Sequence, residues 1–360
     1  MENPTRSILN LETVRQFPKI DLHRHLDGDV AEEDIFFLAQ RGNIPLPVKT
    51  DGELKNYFRR LREKDLKALF QKGFGLVTSV MQTEENLEYV AFHEVEHLAQ
   101  DGIIYAELRF APQYHTGEST YYGHAQSDLR QKLNYQTIIR AVSRGLKLGE
   151  KEFGVKTKII VCIGREAEPD VGVKIAQAAI DCAPDGVVAL DLACDEASYP
   201  PERHLLAFEL TFNSPLKRTV HAGEFGGRLY ENIKTAIFKL RADRLGHAIP
   251  ISQHEDLLKA VVEKKIGLEL CPLSNTTCGF IKSHRDLNIN SLIDRGALVS
   301  INTDDPGIFN FTLSDVLVEV LKDSAEPRRD LRQFQINAVN SSFLNQDEKD
   351  KLLDMLNQAG

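Results

Sequence analysis

Histidines and carboxylates lie together in a few short stretches of this chain, where they could hold a metal ion. His23 and His25 are two residues apart in DLHRHLDG, residues 21–28. In a β-strand, side chains at this spacing share one face with Cα atoms roughly 6.6 Å apart, so both imidazoles could reach one ion. His221 and Asp304 would complete a set of three nitrogens and one oxygen, which zinc accepts. The alternative is a group of hydrogen-bonded core histidines.

Apolar runs beside these residues predict the strands that position them. Eight runs rich in β-branched residues alternate with stretches whose apolar residues have helical spacing. The runs cover residues 19–23, 103–110, 156–163, 187–193, 217–222, 243–248, 267–272 and 298–303. Nearly continuous apolar strands are typical of parallel sheets covered by helices. Eight strand–helix repeats predict an α/β fold, namely a (β/α)8 TIM-type barrel.

One connection is much longer than the others. The stretch between the first two runs includes DGELKNYFRRLREKDLKALFQKGFG, which has helical character. We predict a helical insertion of approximately residues 30–100 after strand 1, on the face where barrel active sites lie. Leu69, Phe70 and Phe74 could form an apolar lid there, with a simple helix core as the alternative. The sequence has no internal repeat or linker, so we expect one domain over residues 1–360.

The carboxyl ends of the predicted strands carry most of the polar residues. Active sites of barrels are built at these ends, so residues distant in sequence are expected to meet there. Besides the four candidate ligands, the ends carry Asp191, Glu224, His247 and Asp305. We interpret Asp191 as a possible partner that orients a ligand histidine. Arg109 is interpreted as a partner for internal carboxylates rather than for substrate.

The composition limits the classes of partner. A net charge of −9 argues against a nucleic-acid backbone or an anionic membrane, because both require a basic face. No apolar stretch approaches the roughly 20 residues that span a bilayer, and the N-terminal stretch lacks the apolar segment of a signal peptide. Five cysteines form no CxxC pair, and their odd number argues against a disulfide framework. We therefore expect a soluble, cytoplasmic protein.

A second histidine motif, HEVEH at residues 93–97, matches the HExxH pattern of zinc proteases. His93 and His97 are predicted to lie beside and behind the apolar stripe of their helix. Gln100 stands where one large class of these proteases has glycine. We therefore interpret the segment as a solvated helix face. The remaining histidines are also predicted at the surface: His115, His124, His204, His254 and His284.

The motifs described above resemble those of the adenosine deaminase family in order and spacing. The matching stretches are PKIDLHRHLDG, YAELRFAP, VVALDLACDE, TVHAGEFG, DRLGHAI, LCPLSNTTCG and SINTDDPG, from residue 18 to about residue 307. DLHRHLDG and SINTDDPG look especially like the bacterial enzymes. The resemblance implies a barrel that binds one zinc ion per chain and a purine nucleoside as its small-molecule partner. The implied reaction is hydrolytic deamination of adenosine, and of 2′-deoxyadenosine, with release of ammonia.

The resemblance also implies roles for individual residues. It makes four residues the zinc ligands: His23, His25, His221 and Asp304. Glu224 would protonate purine N1, and His247 would lie beside the attacking water. The implied substrate-binding residues are Asp27 at the ribose 5′-hydroxyl, His25, the backbone amide of Cys194 at N3, and Asp305 at N7.

Two positions depart from the family pattern. Cys194 and Ala248 stand where the family usually has glycine. Neither change removes a catalytic group, but Cys194 adds bulk where the purine would lie. The alternative substrates within the family are therefore adenine, a 5′-modified adenosine, N6-methyl-AMP and aminofutalosine. A non-catalytic nucleoside-binding protein is disfavoured, because Glu224 and all four implied ligands are present.

Overall fold

The strands of this chain form a single parallel sheet. The computed structural model describes residues 9–117 and 132–359. Within them the strands are β1 (Lys19–His25), β2 (Ile103–Phe110), β3 (Lys156–Gly164), β4 (Val187–Ala193), β5 (Lys217–Ala222), β6 (Arg244–His247), β7 (Gly267–Leu270) and β8 (Leu298–Ile301). Each strand pairs in parallel with the next one along the chain, from β1 to β8. The predicted α/β barrel is confirmed, with every strand close to its predicted position.

The first and last strands meet at a seam that closes the barrel. β1 and β8 share a bridge between Arg24 and Asp304, which lies just beyond the end of β8. The backbone N–H of Asp304 donates to the carbonyl of His23 at 2.8 Å, and the N–H of His25 donates to the carbonyl of Asp304 at 2.8 Å. The two motifs that carry candidate ligands are therefore joined by backbone hydrogen bonds. This pairing extends β1 to His25, two residues beyond the predicted end.

Helices cover the outside of the barrel. They are α1 (Leu11–Gln16), α2 (Glu32–Arg41), α3 (Asp51–Lys64), α4 (Leu66–Ala68), α5 (Phe74–Val80), α6 (Glu84–Gln100), α7 (Tyr135–Phe153), α8 (Pro169–Asp181), α9 (Leu205–Thr211), α10 (Leu229–Phe238), α11 (Glu255–Lys264), α12 (Pro272–Thr277), α13 (Ile289–Asp294), α14 (Pro306–Phe309), α15 (Leu313–Leu321), α16 (Pro327–Ser341) and α17 (Gln346–Gln358). In the described part of the chain, no helix has the length and apolar character needed to cross a membrane.

The helical insertion predicted after the first strand is present as α2 to α6. α3 begins at a capping box, in which Thr50 and Glu53 each accept a hydrogen bond from the other's backbone N–H. A turn of π-helix at Leu69–Gly73 joins α4 to α5. Such turns are rare and often occur at functional sites. Here the turn brings Phe70 to the carboxyl end of the barrel, where it lines the main cavity.

Candidate metal centre and active site

The four implied ligands meet at the carboxyl end of the barrel. Nε2 of His23 lies 3.2 Å from Asp304 Oδ1, and Nε2 of His25 lies 3.4 Å from the same oxygen. Nε2 of His25 and Nε2 of His221 are 3.1 Å apart. Two groups of potential ligands overlap here at Asp304, an arrangement suited to a metal ion: His23, His221, His247 and Asp304 form one, and His25, Asp304 and Asp305 form the other.

Buried carboxylates set the orientation of two of these histidines. Nδ1 of His23 lies 2.8 Å from Oε2 of Glu269, and Nδ1 of His221 lies 3.1 Å from Oδ2 of Asp191. A neutral ring whose Nδ1–H donates to a carboxylate keeps its lone pair on Nε2, and both Nε2 atoms face the cluster. Nε2 of His23 is buried and has no hydrogen-bond partner among the described residues. A buried lone pair without a donor fits a metal ion.

A single arginine connects the two carboxylates. Arg109 donates from Nη1 to Asp191 Oδ2 at 2.9 Å and from Nη2 to Glu269 Oε2 at 2.8 Å, and all three side chains are fully buried. Burial acts to raise the pKa of Glu269, but Arg109 and Arg244 hold this pKa well below its usual range. The prediction that Arg109 pairs with internal carboxylates is confirmed. Arg109 links Glu269, the partner of His23, and Asp191, the partner of His221, into one buried network.

Negative charge dominates the other side of the cluster. Burial acts to lower the pKa of His25, yet Asp305, Asp27 and Asp304 raise it to about 9. The surrounding carboxylates thus favour a positive charge at this position. Ser274 Oγ donates to Asp304 Oδ2 at 2.6 Å, which leaves Oδ1 facing the histidines. The electrostatics of the cluster, like its geometry, suit a cation.

His247 lies in the same cluster but its protonation differs. Its side chain, with His23, His221 and Asp304, offers atoms that lie within 4.8 Å of one another. The amide nitrogen of Asn275 lies 2.9 Å from His247 Nδ1. Burial lowers the pKa of His247 well below its usual range, so the ring is neutral. When Nδ1 accepts the amide N–H, the ring proton is on Nε2, and His247 can then donate toward the site.

Two acids beside the cluster have raised pKa values. Burial and the nearby charges of Asp304, Glu196 and Asp305 raise the pKa of Glu224 well above its usual range. Burial and Asp304 likewise raise the pKa of Asp305. Glu224 Oε2 lies 3.8 Å from Nε2 of His247. These raised pKa values favour the protonated forms of both acids, in which each can donate a proton or a hydrogen bond.

Asp27 and Asp305 line the cavity close to the loop that follows β1. A Cβ at Gly28 would lie 1.9 Å from Asp305 Oδ1, so only glycine at position 28 permits this approach. Asp27 Oδ2 accepts from the backbone N–H of Ala111 at 3.1 Å and lies 3.6 Å from Nε2 of His115. These contacts fix the carboxylate of Asp27 at the cavity wall, which it lines.

The cluster opens into a cavity of about 600 Å³. His25, Asp27, His221, Glu224, His247, Asp304 and Asp305 all line it, and so does Cys194. Two stacked aromatic pairs form apolar parts of the wall: Phe70 with Phe74, centroids 5.9 Å apart, and Phe225 with Phe280, centroids 5.1 Å apart. Of the three residues predicted as a possible lid, Phe70 and Phe74 line the cavity and Leu69 is buried in the core.

The two departures from the family pattern have a common backbone property. Cys194 has φ +77° and Ala248 has φ +44°, in the left-handed region that favours glycine. Cys194 Sγ lies 3.2 Å from the hydroxyl of Tyr114, and both residues line the cavity. Ala248 is fully buried and does not line it. Glycine is thus the unstrained residue at both positions, but only position 194 faces the cavity.

Several histidines lie elsewhere than predicted. The surface prediction is wrong for His115, His204 and His284, which are buried, while His254 is partly buried. His124 falls outside the described residues. Burial at these positions depends on tertiary packing, which short apolar patterns do not reveal.

The HEVEH segment contributes no metal site among the described residues. His93 and His97 are partly buried. The interpretation of a solvated face is wrong for Glu94, which is fully buried and accepts from Arg24 Nε at 2.6 Å. Glu94 therefore has a structural partner instead of a catalytic role.

Sequence reasoning placed Glu196 at the end of strand 4 but gave no role to it or to three other residues that orient the site: Glu269, Ser274 and Asn275. Glu269 interrupts an apolar strand, and this isolated charge was a usable signal. Ser274 and Asn275 lie in α12, directly after β7, within a matched motif. The partners of Ser274 and Asn275 lie at the ends of other strands, so the spacing of residues alone could not reveal their roles.

The comparisons with known proteins agree with this geometry. The family model described as "Adenosine deaminase" matches residues 18–359. Adenosine deaminase of Clostridium acetobutylicum is 31% identical over 346 residues, covering 96% of this chain and 98% of the relative. Adenosine deaminase of Mycobacterium marinum is 34% identical over 361 residues, covering 96% and 95%. The solved structure of adenine deaminase from Arthrobacter aurescens is 27% identical with a TM-score of 0.81, covering 95% of this chain and 98% of that chain.

Proposed function

The chain belongs to the adenosine deaminase family, and we propose that it hydrolyses adenosine and 2′-deoxyadenosine at C6, with inosine or 2′-deoxyinosine and ammonia as products. One observation supports this most strongly. Imidazole nitrogens of His23, His25 and His221 lie close to Asp304 and to one another, beside an acid, Glu224, whose pKa is raised well above its usual range. Hydrolysis of an aminopurine needs both an activated water and a proton donor for the ring.

We propose His23, His25, His221 and Asp304 as the ligands of one zinc ion per chain. Three imidazole nitrogens and one carboxylate oxygen are a donor set that zinc accepts. The orphaned Nε2 of His23 and the neutral state of His221 fit this assignment: burial lowers the pKa of His221 to about 4. The chemistry that bound zinc supplies is a water whose pKa is lowered to about 7.

The protein's own residues would carry the proton transfers. Glu224, in its protonated form, donates to purine N1 as water adds to C6, and the electron pair of the N1–C6 double bond moves to N1. The hydroxyl proton of the adduct then passes to the amino group, the C6–N6 bond breaks as the C6 carbonyl forms, and ammonia leaves. The proton lost by the attacking water restores Glu224. Nε2–H of His247 donates toward the attacking oxygen and holds it on the reacting face. Asp305, also protonated, donates to N7. Each role needs a donor, and the raised pKa values of the two acids and the Nε2–H tautomer of His247 supply one.

The remaining implied residues would bind the rest of the nucleoside. In this proposal Asp27 accepts from the ribose 5′-hydroxyl and the backbone N–H of Cys194 donates to N3. His25 contacts the substrate from the metal side. The apolar aromatic pairs at Phe70 and Phe225 suit the faces of a purine and a ribose. The alternative substrates are adenine, a 5′-modified adenosine, N6-methyl-AMP and aminofutalosine.

The test is hydrolysis at C6 of a panel of aminopurines by zinc-loaded protein, measured as release of ammonia, or of methylamine in the case of N6-methyl-AMP. The panel comprises adenosine, 2′-deoxyadenosine, adenine, AMP, N6-methyl-AMP and aminofutalosine. We expect the highest kcat/KM for adenosine or 2′-deoxyadenosine. A higher kcat/KM for adenine or for a 5′-modified compound would replace the proposed substrate, and no turnover of any member would overturn the deaminase assignment.

A further inference from the structure

Glu196 joins the loop after β4 to the loop after β5, and we propose that it is a positioning residue for Glu224. The inference rests on the proposed function, since it concerns the acid of that reaction. Glu196 itself does not line the cavity, and it is 2% exposed. It would act on the reaction only through the loop that carries Glu224.

The carboxylate of Glu196 accepts four N–H groups from the β5 side of the site. Oε1 accepts from the backbone N–H of Gly223 at 2.7 Å and from Nδ2 of Asn232, in α10, at 2.9 Å. Oε2 accepts from the backbone N–H of Glu224 at 2.8 Å and from that of Phe225 at 3.4 Å. Three successive backbone N–H groups, centred on Glu224 itself, are therefore held by one buried charge.

Close packing of the two loops supports the same conclusion independently. Gly226 has φ +100°, and a Cβ added there would lie 2.8 Å from Cβ of Ala197. The loop after β5 thus lies against the residue next to Glu196 with no room for a side chain. Backbone contact and the buried carboxylate together fix the separation of the two loops.

The link has a chemical consequence, because each loop would contact the purine. The loop after β4 also carries Cys194, whose backbone N–H is proposed to meet N3, while Glu224 is proposed to meet N1. A general acid must lie within about 2.6–3.2 Å of its acceptor, and a misplacement of 1 Å costs on the order of 100-fold in rate. Glu196 would hold the proton of Glu224 at the correct distance from a purine seated by the other loop.

The chemistry of the four donors explains why a carboxylate occupies this position. An ionised carboxylate only accepts, and its two oxygens offer about four acceptor sites. An amide would place an NH₂ group against two of the N–H donors. Glu196→Gln should therefore release one half of the contact while nearly preserving the volume of the side chain.

The experiment compares Glu196→Gln with wild type and with Glu202→Gln. Glu202 also accepts a hydrogen bond from α10, at 2.9 Å from Thr235 Oγ1, and its charged neighbours are Arg228 and Lys239, each at 3.8 Å. We expect Glu196→Gln to lower kcat by ~10- to 100-fold with little change in KM or zinc content, and to lower the thermal midpoint, because buried N–H groups lose their acceptor. Glu202→Gln should leave kcat unchanged. Glu196→Asp keeps the charge on a shorter side chain and should recover part of kcat.

A double variant separates positioning from a general structural effect. In a Glu224→Gln background the acid is already absent, so adding Glu196→Gln should lower the residual kcat by no more than about 2-fold. The inference would be overturned if Glu196→Gln lowered kcat by the same factor in the Glu224→Gln background as in wild type. Normal kcat in the single variant Glu196→Gln would also overturn it. If Glu196→Gln does not fold, the same comparison is made with Glu196→Asp. Wild-type protein that deaminates no aminopurine would instead overturn the proposed function.

Discussion

The metal side of the cavity and its outer wall are built from different interactions. On the metal side, His23 and His221 are held by fully buried carboxylates that Arg109 bridges at 2.8 and 2.9 Å. On the outer wall, Phe70 is partly buried and Phe280 is exposed, and both make ring contacts rather than hydrogen bonds. On the metal side, charged groups at hydrogen-bond distances fix the positions of the proposed ligands. On the outer wall, apolar contacts, which are less directional, would recognise the substrate. Changes on the metal side should therefore affect activity toward every substrate, and changes on the wall should affect preference.

The largest effect is expected from removing a ligand. His23→Ala should lose the metal ion and with it all measurable deaminase activity, because the remaining ligands leave zinc with an incomplete set. Elemental analysis and ammonia release measure the two losses. The control is His93→Ala, a partly buried histidine outside the cavity, which should keep both. Active protein without tightly held metal, or with two stoichiometric ions, would contradict the assignment.

Removing the acid should have the next largest effect. Glu224→Gln should keep the fold and the zinc ion but lose ~10²- to 10⁴-fold in kcat, since an amide of similar shape cannot deliver the proton to N1. Steady-state kinetics with zinc content measured in the same preparation check this. Near-normal turnover with a full complement of zinc would move the acid to another residue.

The buried network behind the ligands should have an intermediate effect. Arg109→Met leaves two buried carboxylates without their shared partner, which should cost about 3–5 kcal/mol in the free energy of unfolding. It should also weaken zinc binding ~10- to 100-fold, as loss of the partners of ligand residues typically does. Denaturant unfolding and titration with a competing chelator measure these changes.

The control for that experiment is Arg218→Met. Arg218 pairs with Asp243 at 2.7 Å near the surface, so its loss should cost about 1 kcal/mol or less and leave zinc binding unchanged. Equal effects of the two substitutions on zinc affinity would mean that the network of Arg109 does not support the ligands.

The smallest effect is expected on the wall, where Cys194 faces the cavity. N3 is bonded to C2 in a purine, so the thiol should crowd a substituent at C2. Cys194→Gly should therefore improve kcat/KM for 2-chloroadenosine relative to adenosine by ~1–3 kcal/mol, the scale of one misfitted small group. Ala248→Gly, which changes the other left-handed residue away from the cavity, should leave this ratio unchanged. An unchanged ratio in Cys194→Gly would show that the thiol does not restrict C2.

The strands and the residues at their ends could be predicted because each depends on local pattern. β-Branched apolar runs define the strands, and in a barrel every strand carries its last residues to the same end. This placed His221, His247 and Asp304 together although they lie on different strands. The distinction between His247 and the other histidines could not be predicted in the same way, since it depends on Asn275 donating to Nδ1 from another element.

The direction of the Cys194 side chain also could not be predicted from the local sequence pattern. Alternation along a strand predicts side-chain direction only while the backbone stays extended. At Cys194 the backbone turns to φ +77°, so the alternation no longer applies. The burial of Glu196 and Glu269 is similar, because their partners come from other parts of the chain and a buried charge without visible partners is improbable on its own.

The seam between β1 and β8 has a consequence for how the barrel assembles. All the other strand pairs of the barrel join strands that are consecutive in sequence. β1 and β8 are instead far apart in the chain, and they are joined by a bridge at Asp304. A zinc ion bound by His23, His25 and Asp304 would link β1 to the end of β8. Its ligands come together only after the chain between these strands has folded. Backbone amides at the seam should then exchange with deuterium more slowly in metal-loaded protein than in chelated protein, while those between β3 and β4 keep their rates.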